Sequence, residues 1–278
     1  MQPETATICA ALQELQVRRK FCIGLATKQT NATGALVRRA LGFKWDDDEA
    51  KREGVKARCA KIVSAALAGK DHTGDNQEVA ELLSADFAVV IQALAPLEKR
   101  RNEIERDMAK LARKLPGYAF AESVKGFGDK AFAVLVGETG DLSNYSKADK
   151  LWKRLGLAPF EGKAFSTWRK TGGLTAEDWT AAGYAPRRRA EIHSCVSDPL
   201  FRWQTKSQGP YRAVYDARRA KMTEAYPERS KGHLHNDALR IMTKKLVSDL
   251  WSEWRGAIVK MPETADLALP LPQLIAAE

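Results

Sequence analysis

Residues 76–115, NQEVAELLSADFAVVIQALAPLEKRRNEIERDMAKLARKL, decide the fold class. Leu83, Val90, Leu97, Ile104 and Leu111 recur every seven residues, and Phe87, Leu94, Arg101, Met108 and Leu115 fill the complementary position at the same spacing. A repeat of this period draws one apolar seam along a helix. Sustained over this length, it predicts a long helix packing as a coiled coil, on itself, on the preceding helices or on a second chain. Two residues disturb the pattern. Pro96 lacks a backbone donor and should kink the helix or delete a hydrogen bond. Arg101 sets a charge in the seam, which costs stability and can fix register.

Helical spacing extends outward on both sides. From Thr5 to Leu41, apolar residues recur at Ile8, Leu12, Leu15, Cys22, Leu25, Leu36 and Leu41 among basic residues. A loop is expected near Gly42–Trp45. Asp46–Glu49 then supply the carboxylates that favour a helix start, and that helix should run through Val55, Cys59, Ile62, Val63 and Leu67 to a stop at Gly69. Downstream, Pro116-Gly117 ends the heptad helix, and short elements punctuated by glycine follow as far as Tyr184-Ala185-Pro186. Two further helical stretches are expected, Arg187–Val196 and His233–Trp254, the latter with Leu239, Met242, Leu246, Leu250 and Trp254 on one face. Almost no stretch alternates with the period of a strand. The fold class is therefore mainly α: a helical, coiled-coil region over 1–115, a compact domain over 116–260, and a flexible proline-containing tail over 261–278.

The 278 residues carry 45 Lys+Arg against 35 Asp+Glu, a formal net charge of +10. That excess favours a polyanionic partner such as nucleic acid. No apolar run approaches the roughly 20 residues of a membrane helix. The amino terminus has no basic segment ahead of an apolar one, so a cytoplasmic location and no membrane association are expected. Cys9, Cys22, Cys59 and Cys195 lie far apart and read as reduced thiols.

The sharpest local signal is VKGFGDKAFAVLVGE, Val124 to Glu138. Two glycines flank one apolar residue between a short helix and a second, apolar one, the pattern of a helix-hairpin-helix. Gly126 and Gly128 permit a tight turn, and the following helix can offer its first backbone N–H groups to a phosphate. Lys125 and Lys130 add positive charge beside the turn. The segment continues as GETGDLSNYSKADKLWKRLGLAPFEGKAFSTWRKTGG, and here the chain resembles the carboxy-terminal domain of insertion-sequence 110/116/902 transposases. In that family GxGxxxAxxLxxE is followed by GD, an aromatic-Ser segment and GLAP. The matching residues are Gly126, Gly128, Ala131, Leu135, Glu138, Gly140-Asp141, Tyr145-Ser146-Lys147 and Gly156-Leu157-Ala158-Pro159. The resemblance spans about residues 10–256 and is strongest from Lys125 to Pro159.

The resemblance implies DNA binding, a role in transposition or recombination, and a structured RNA partner. Full-length members begin with a RuvC-like domain carrying metal-binding carboxylates. No such strands are read in this sequence, so that half is expected to be missing. No cofactor is evident, and a divalent metal is expected only where a separate nuclease domain or subunit supplies carboxylates. Asp46–Glu49 cannot replace them, because consecutive carboxylates on a helix start point in different directions, whereas two-metal sites need convergence. The family places a nucleophilic serine in a Ser-Gly-Gly-like turn after GLAP. Ser166 is the nearest serine and the catalytic candidate, although glycine does not follow it and no activating base is identifiable nearby.

Lys163, Arg169 and Lys170 are candidates for holding phosphate, as are Arg187, Arg188 and Arg189, whose charges at a helix start oppose the macrodipole. Trp168 is the one tryptophan read as a base-stacking candidate. Trp152, Trp179, Trp203, Trp251 and Trp254 are assigned to the core. His193 with Cys195, and His233 with His235, lie two apart and do not form a zinc set. The alternatives to a DNA-binding protein that is a recombinase or its non-catalytic derivative are an RNA-binding accessory protein and an oligomeric scaffold. A homo-oligomer paired through the coiled coil is expected.

Overall fold

The computed structural model describes residues 3–159, 175–181 and 186–256. Every regular element among them is helical, so the fold is mainly α. In chain order these are α1 (Pro3–Ala40), α2 (Glu49–Leu67), α3 (Asp75–Leu82), α4 (Ser84–Ala112), α5 (Tyr118–Ser123), α6 (Asp129–Thr139), a 3-10 turn (Leu142–Asn144), α7 (Ala148–Arg154), α8 (Ala176–Ala181), α9 (Pro186–Ile192), a π turn (His193–Ser197), α10 (Asp198–Ser207), α11 (Pro210–Ala225) and α12 (Lys231–Trp254). No single described helix is long and apolar enough to cross a membrane. The chain divides into two compact units, Val17–Arg106, and Met1–Gln16 together with Asp107–Glu278.

Within Val17–Arg106, Val37, Cys59, Ile62, Val63, Ala66, Ala80, Leu83 and Phe87 form the buried cluster. The start of α2 follows from its sequence: the Asp48 carboxylate accepts the Lys51 N–H at 2.8 Å, an N-cap worth about 1 kcal/mol. The Arg19 side chain donates to Glu105 at 2.8 Å, and both side chains are largely buried.

The heptad stretch is not one helix. α3 and α4 are separated at Leu83 and bent by 69°. The cause is local burial: Ala80, Leu83 and Phe87 all enter the cluster around Ile62 and Val63. Beyond the bend α4 continues through Pro96. Along the seam Ile104, Met108 and Leu115 are buried, whereas Val90, Leu94, Leu97, Arg101 and Leu111 are only half-buried.

In the other unit, α6 is the central helix. All nine residues from Ala131 to Thr139 are buried, which explains a sequence that is apolar on every face. Burying Phe132, Val134, Leu135 and Val136 contributes about 1.5–3 kcal/mol each. Phe132 packs between Phe127, at 6.1 Å between ring centroids, and Trp254, at 6.2 Å. α11 runs antiparallel to α12, joined where the Tyr211 hydroxyl donates to Asp249 at 2.9 Å and Arg218 donates to Asp237 at 2.6 Å. Residues 198–225, where no helix is expected from the sequence pattern, form α10 and α11.

Candidate nucleic-acid interface

α5 and α6 are joined by a five-residue turn, Val124 to Gly128. The Phe127 N–H donates to the Val124 carbonyl at 2.9 Å, and the Phe127 ring is fully buried. The two glycines flanking it are in different situations. Gly126 has φ +92°, a conformation that side-chain-bearing residues rarely adopt. A Cβ there would lie 2.9 Å from the Pro199 carbonyl oxygen and 3.0 Å from the Leu200 Cα, because the turn packs against α10. Gln204 of α10 fixes the same turn by donating to the Lys125 carbonyl at 2.9 Å.

Gly128 is exposed and lies in ordinary backbone, φ −86° and ψ −167°. Nothing stands within 4 Å of the position its Cβ would take. It is the N-cap of α6 and supplies no side-chain hydrogen bond to the first turn. The neighbouring carboxylate of Asp129 is held sideways, accepting from the Tyr118 hydroxyl at 2.7 Å and from Arg113 Nε at 2.9 Å. Burial pushes the Asp129 carboxyl up, but those two donors outweigh it and hold it below the usual carboxylate range. Lys125 and Lys130 are exposed on either side of the turn.

The other end of α6 is closed. Glu138 is buried and accepts from Gln16 Nε2 at 2.9 Å and from Arg188 Nε at 3.0 Å. Arg188 is thus directed inward. Burial and the neighbouring Arg154 charge push its guanidinium below its ordinary range, against the pull of Glu138. Asp141 accepts from the Ser143 N–H at 2.8 Å, which caps the 3-10 turn, and from Trp254 Nε1 at 3.0 Å. The Tyr145 hydroxyl donates to the Thr139 carbonyl at 2.8 Å, and its own carbonyl receives Trp251 Nε1 at 2.9 Å. Gly156 lies against Arg189 of α9. Glu138, Gly140-Asp141, Tyr145 and Gly156 therefore act in packing.

Of the arginine triplet, Arg187 is exposed, Arg189 half-buried and Arg188 tied to Glu138. Lys163, Ser166, Trp168, Arg169 and Lys170 lie outside the described residues, as does the tail 261–278. Trp152, Trp179 and Trp251 are half-buried and Trp254 is buried, but Trp203 is 54% exposed. It belongs to the surface, not to the core where sequence reasoning put it. Its neighbours explain the inversion: α10 turns Leu200 and Gln204 inward, which leaves Arg202, Trp203 and Lys206 outside. Among the described residues no group of three or more His, Cys, Asp or Glu side chains is placed to hold a metal ion.

Residues 118–171 match the family model described as Transposase IS116/IS110/IS902 family. No curated protein and no solved structure matches the chain. The match takes in both ends of α6, the Asp141 cap and the Gly156 bend, so the region whose packing is described above is the part of the chain that resembles that family.

Proposed function

We propose that this chain is a DNA-binding protein of transposition or recombination, in which α5, the Gly126–Gly128 turn and α6 act as a helix-hairpin-helix that grips the phosphate backbone. The observation that carries the reading is Gly128. Its conformation suits any residue and its surroundings would accept a side chain, so packing gives no reason for its bareness. Close approach of a phosphate to the N-terminus of an eleven-residue helix does give one. The exposed lysines beside the turn, the net charge of +10 and the family match support the same reading. Contacts to backbone hold DNA without reading its sequence, and affinity then falls steeply with salt through counterion release.

A half-buried seam from Val90 to Arg101, with Val89 and Ile91 exposed beside it, supports pairing of protomers through α4. The roles of Ser166 in strand transfer and of a structured RNA as partner, and a cytoplasmic location, remain parts of the proposal drawn from the resemblance and the composition.

The test is binding to a mixed-sequence duplex across a salt series, comparing wild type with Gly128→Asn. Asparagine fills the open space and caps α6 with its own side chain, which competes with a phosphate for the same N–H groups and stabilises the helix by a few tenths of a kcal/mol. Wild type should show a steep salt dependence. The variant should melt no lower, yet bind about tenfold more weakly, the loss expected for charge-assisted hydrogen bonds. Equal affinities, or no binding by wild type at low salt, would remove the hairpin as the binding element.

A further inference from the structure

Among the described residues of the unit that holds α6, Trp203 is the largest exposed apolar side chain, and it stands beside the hairpin turn. Its Cβ is 2.8 Å from where a Cβ of Gly126 would be, so the stem of the tryptophan is pressed against the turn while the residue as a whole is 54% exposed. Leu200 and Gln204, on the inward face of α10, are buried, and Gln204 is bonded to the Lys125 carbonyl. The backbone carrying the ring is thereby fixed to the backbone of the turn. Lys206 Nζ lies 5.3 Å from the ring centroid, and the Lys125 side chain is exposed on the turn itself. The nearest carboxylate on α10, Asp198, is neutralised by Arg202 at 2.6 Å. An exposed indole framed by lysines matches the surface that single-stranded nucleic acid uses: a π face for a base and cations for its phosphates.

We infer that Trp203 is a stacking platform for an unpaired base, set beside the phosphate grip at Gly128. This rests on the hairpin reading above and extends it from duplex backbone to a junction. Gly126 and Gly128 are two residues apart, at most ~7 Å along the chain. The ring therefore stands beside the nucleotide whose phosphate the α6 N-terminus holds. Bases within a duplex are stacked on one another and cannot use the ring; a base at a strand end, flap or opened junction can. The protein is then selective for DNA in which a duplex meets a single strand.

The experiment uses the full chain with two fluorescein-labelled DNAs, a blunt duplex and the same duplex with a short single-stranded extension. Affinities are measured by anisotropy for wild type, Trp203→Ala, Trp203→Phe and Gly128→Asn. Base–aromatic stacking makes the extended DNA bind wild type about tenfold or more tightly than the blunt one. Trp203→Ala should erase that preference while leaving blunt-duplex affinity unchanged, and Trp203→Phe should retain most of it. A preference that survives in Trp203→Ala, its absence in wild type, or an equal loss on both DNAs overturns the platform. Reduced blunt-duplex binding by Gly128→Asn alongside any of those results leaves the hairpin reading standing. Indifference of both DNAs to Gly128→Asn removes that reading and the platform with it.

Discussion

The two ends of the eleven-residue helix α6 have opposite characters. At the carboxy-terminal end both carboxylates are bonded within the unit: Glu138 holds Gln16 and Arg188, and Asp141 holds Ser143 and Trp254. At the amino-terminal end Gly128 has open space before it, and the neighbouring Asp129 carboxylate is bonded to Tyr118 and Arg113. The difference separates two kinds of signature residue in the same motif. Those near Glu138 hold the helix in place, whereas the surface around Gly128 is what the helix presents. Substitutions at the first end should change stability, and substitutions at the second should change binding.

The largest effect is expected at the closed end. Glu138→Ala leaves the half-buried Arg188 guanidinium without its carboxylate and takes from Gln16 the closer of its two carboxylate acceptors. Breaking a buried pair by removing one partner costs about 3–5 kcal/mol. Chemical denaturation should show a loss of that size, with DNA affinity per folded molecule retained. A loss below about 1 kcal/mol would mean that the pair contributes no more than a surface one, and the closed end would no longer be distinguished by its packing.

Gly126→Ala tests the boundary between the two ends. The residue belongs to the turn that is proposed to bind, yet its own constraint is internal. An alanine there has φ +92° and meets the backbone of Pro199 and Leu200. Positive-φ strain of about 1–3 kcal/mol plus that overlap should lower stability by about 3 kcal/mol, read as a shift in the thermal midpoint. An alanine tolerated without loss would show that α10 does not brace the turn. Trp203 would then no longer be fixed beside it.

Much of the helical frame was legible because its signals are local. Asp48 announces α2 as an N-cap, Gly69 ends it with φ +62°, and α1 keeps helical spacing over its whole length. The bend at Leu83 was hidden because a seven-residue repeat records which residues are apolar, not which neighbour buries them. Leu83 and Phe87 satisfy the repeat while serving the cluster around Ile62. The missed α11 did carry a signal: Pro210 stands at its first position, and Tyr211, Val214 and Tyr215 share a buried face. At the site, the glycine pair could be read but the division of labour within it could not, since that depends on α10, more than seventy residues away. Arg188 and Trp203 were exchanged for the same reason. A charge reads as surface and an indole as core until the buried Glu138, or the inward-facing Leu200 and Gln204, reverse them.

The smallest expected change in stability gives the most selective probe of the open end. Lys125 has an exposed side chain, and its main chain is already secured by Gln204. Lys125→Gln should therefore alter stability by less than about 0.5 kcal/mol. If the ammonium neutralises one phosphate, the substitution releases one fewer counterion, and the slope of log affinity against log salt becomes shallower by about 0.9. The loss of affinity should be uniform across DNA sequences, because a point charge on a phosphate carries no base information. It should also be equal for blunt and extended DNA, in contrast to the effect of Trp203→Ala. An unchanged slope would move the phosphate contact off Lys125 and leave the grip to the α6 N-terminus alone. A slope that changes only on extended DNA would assign Lys125 to the strand that stacks on Trp203.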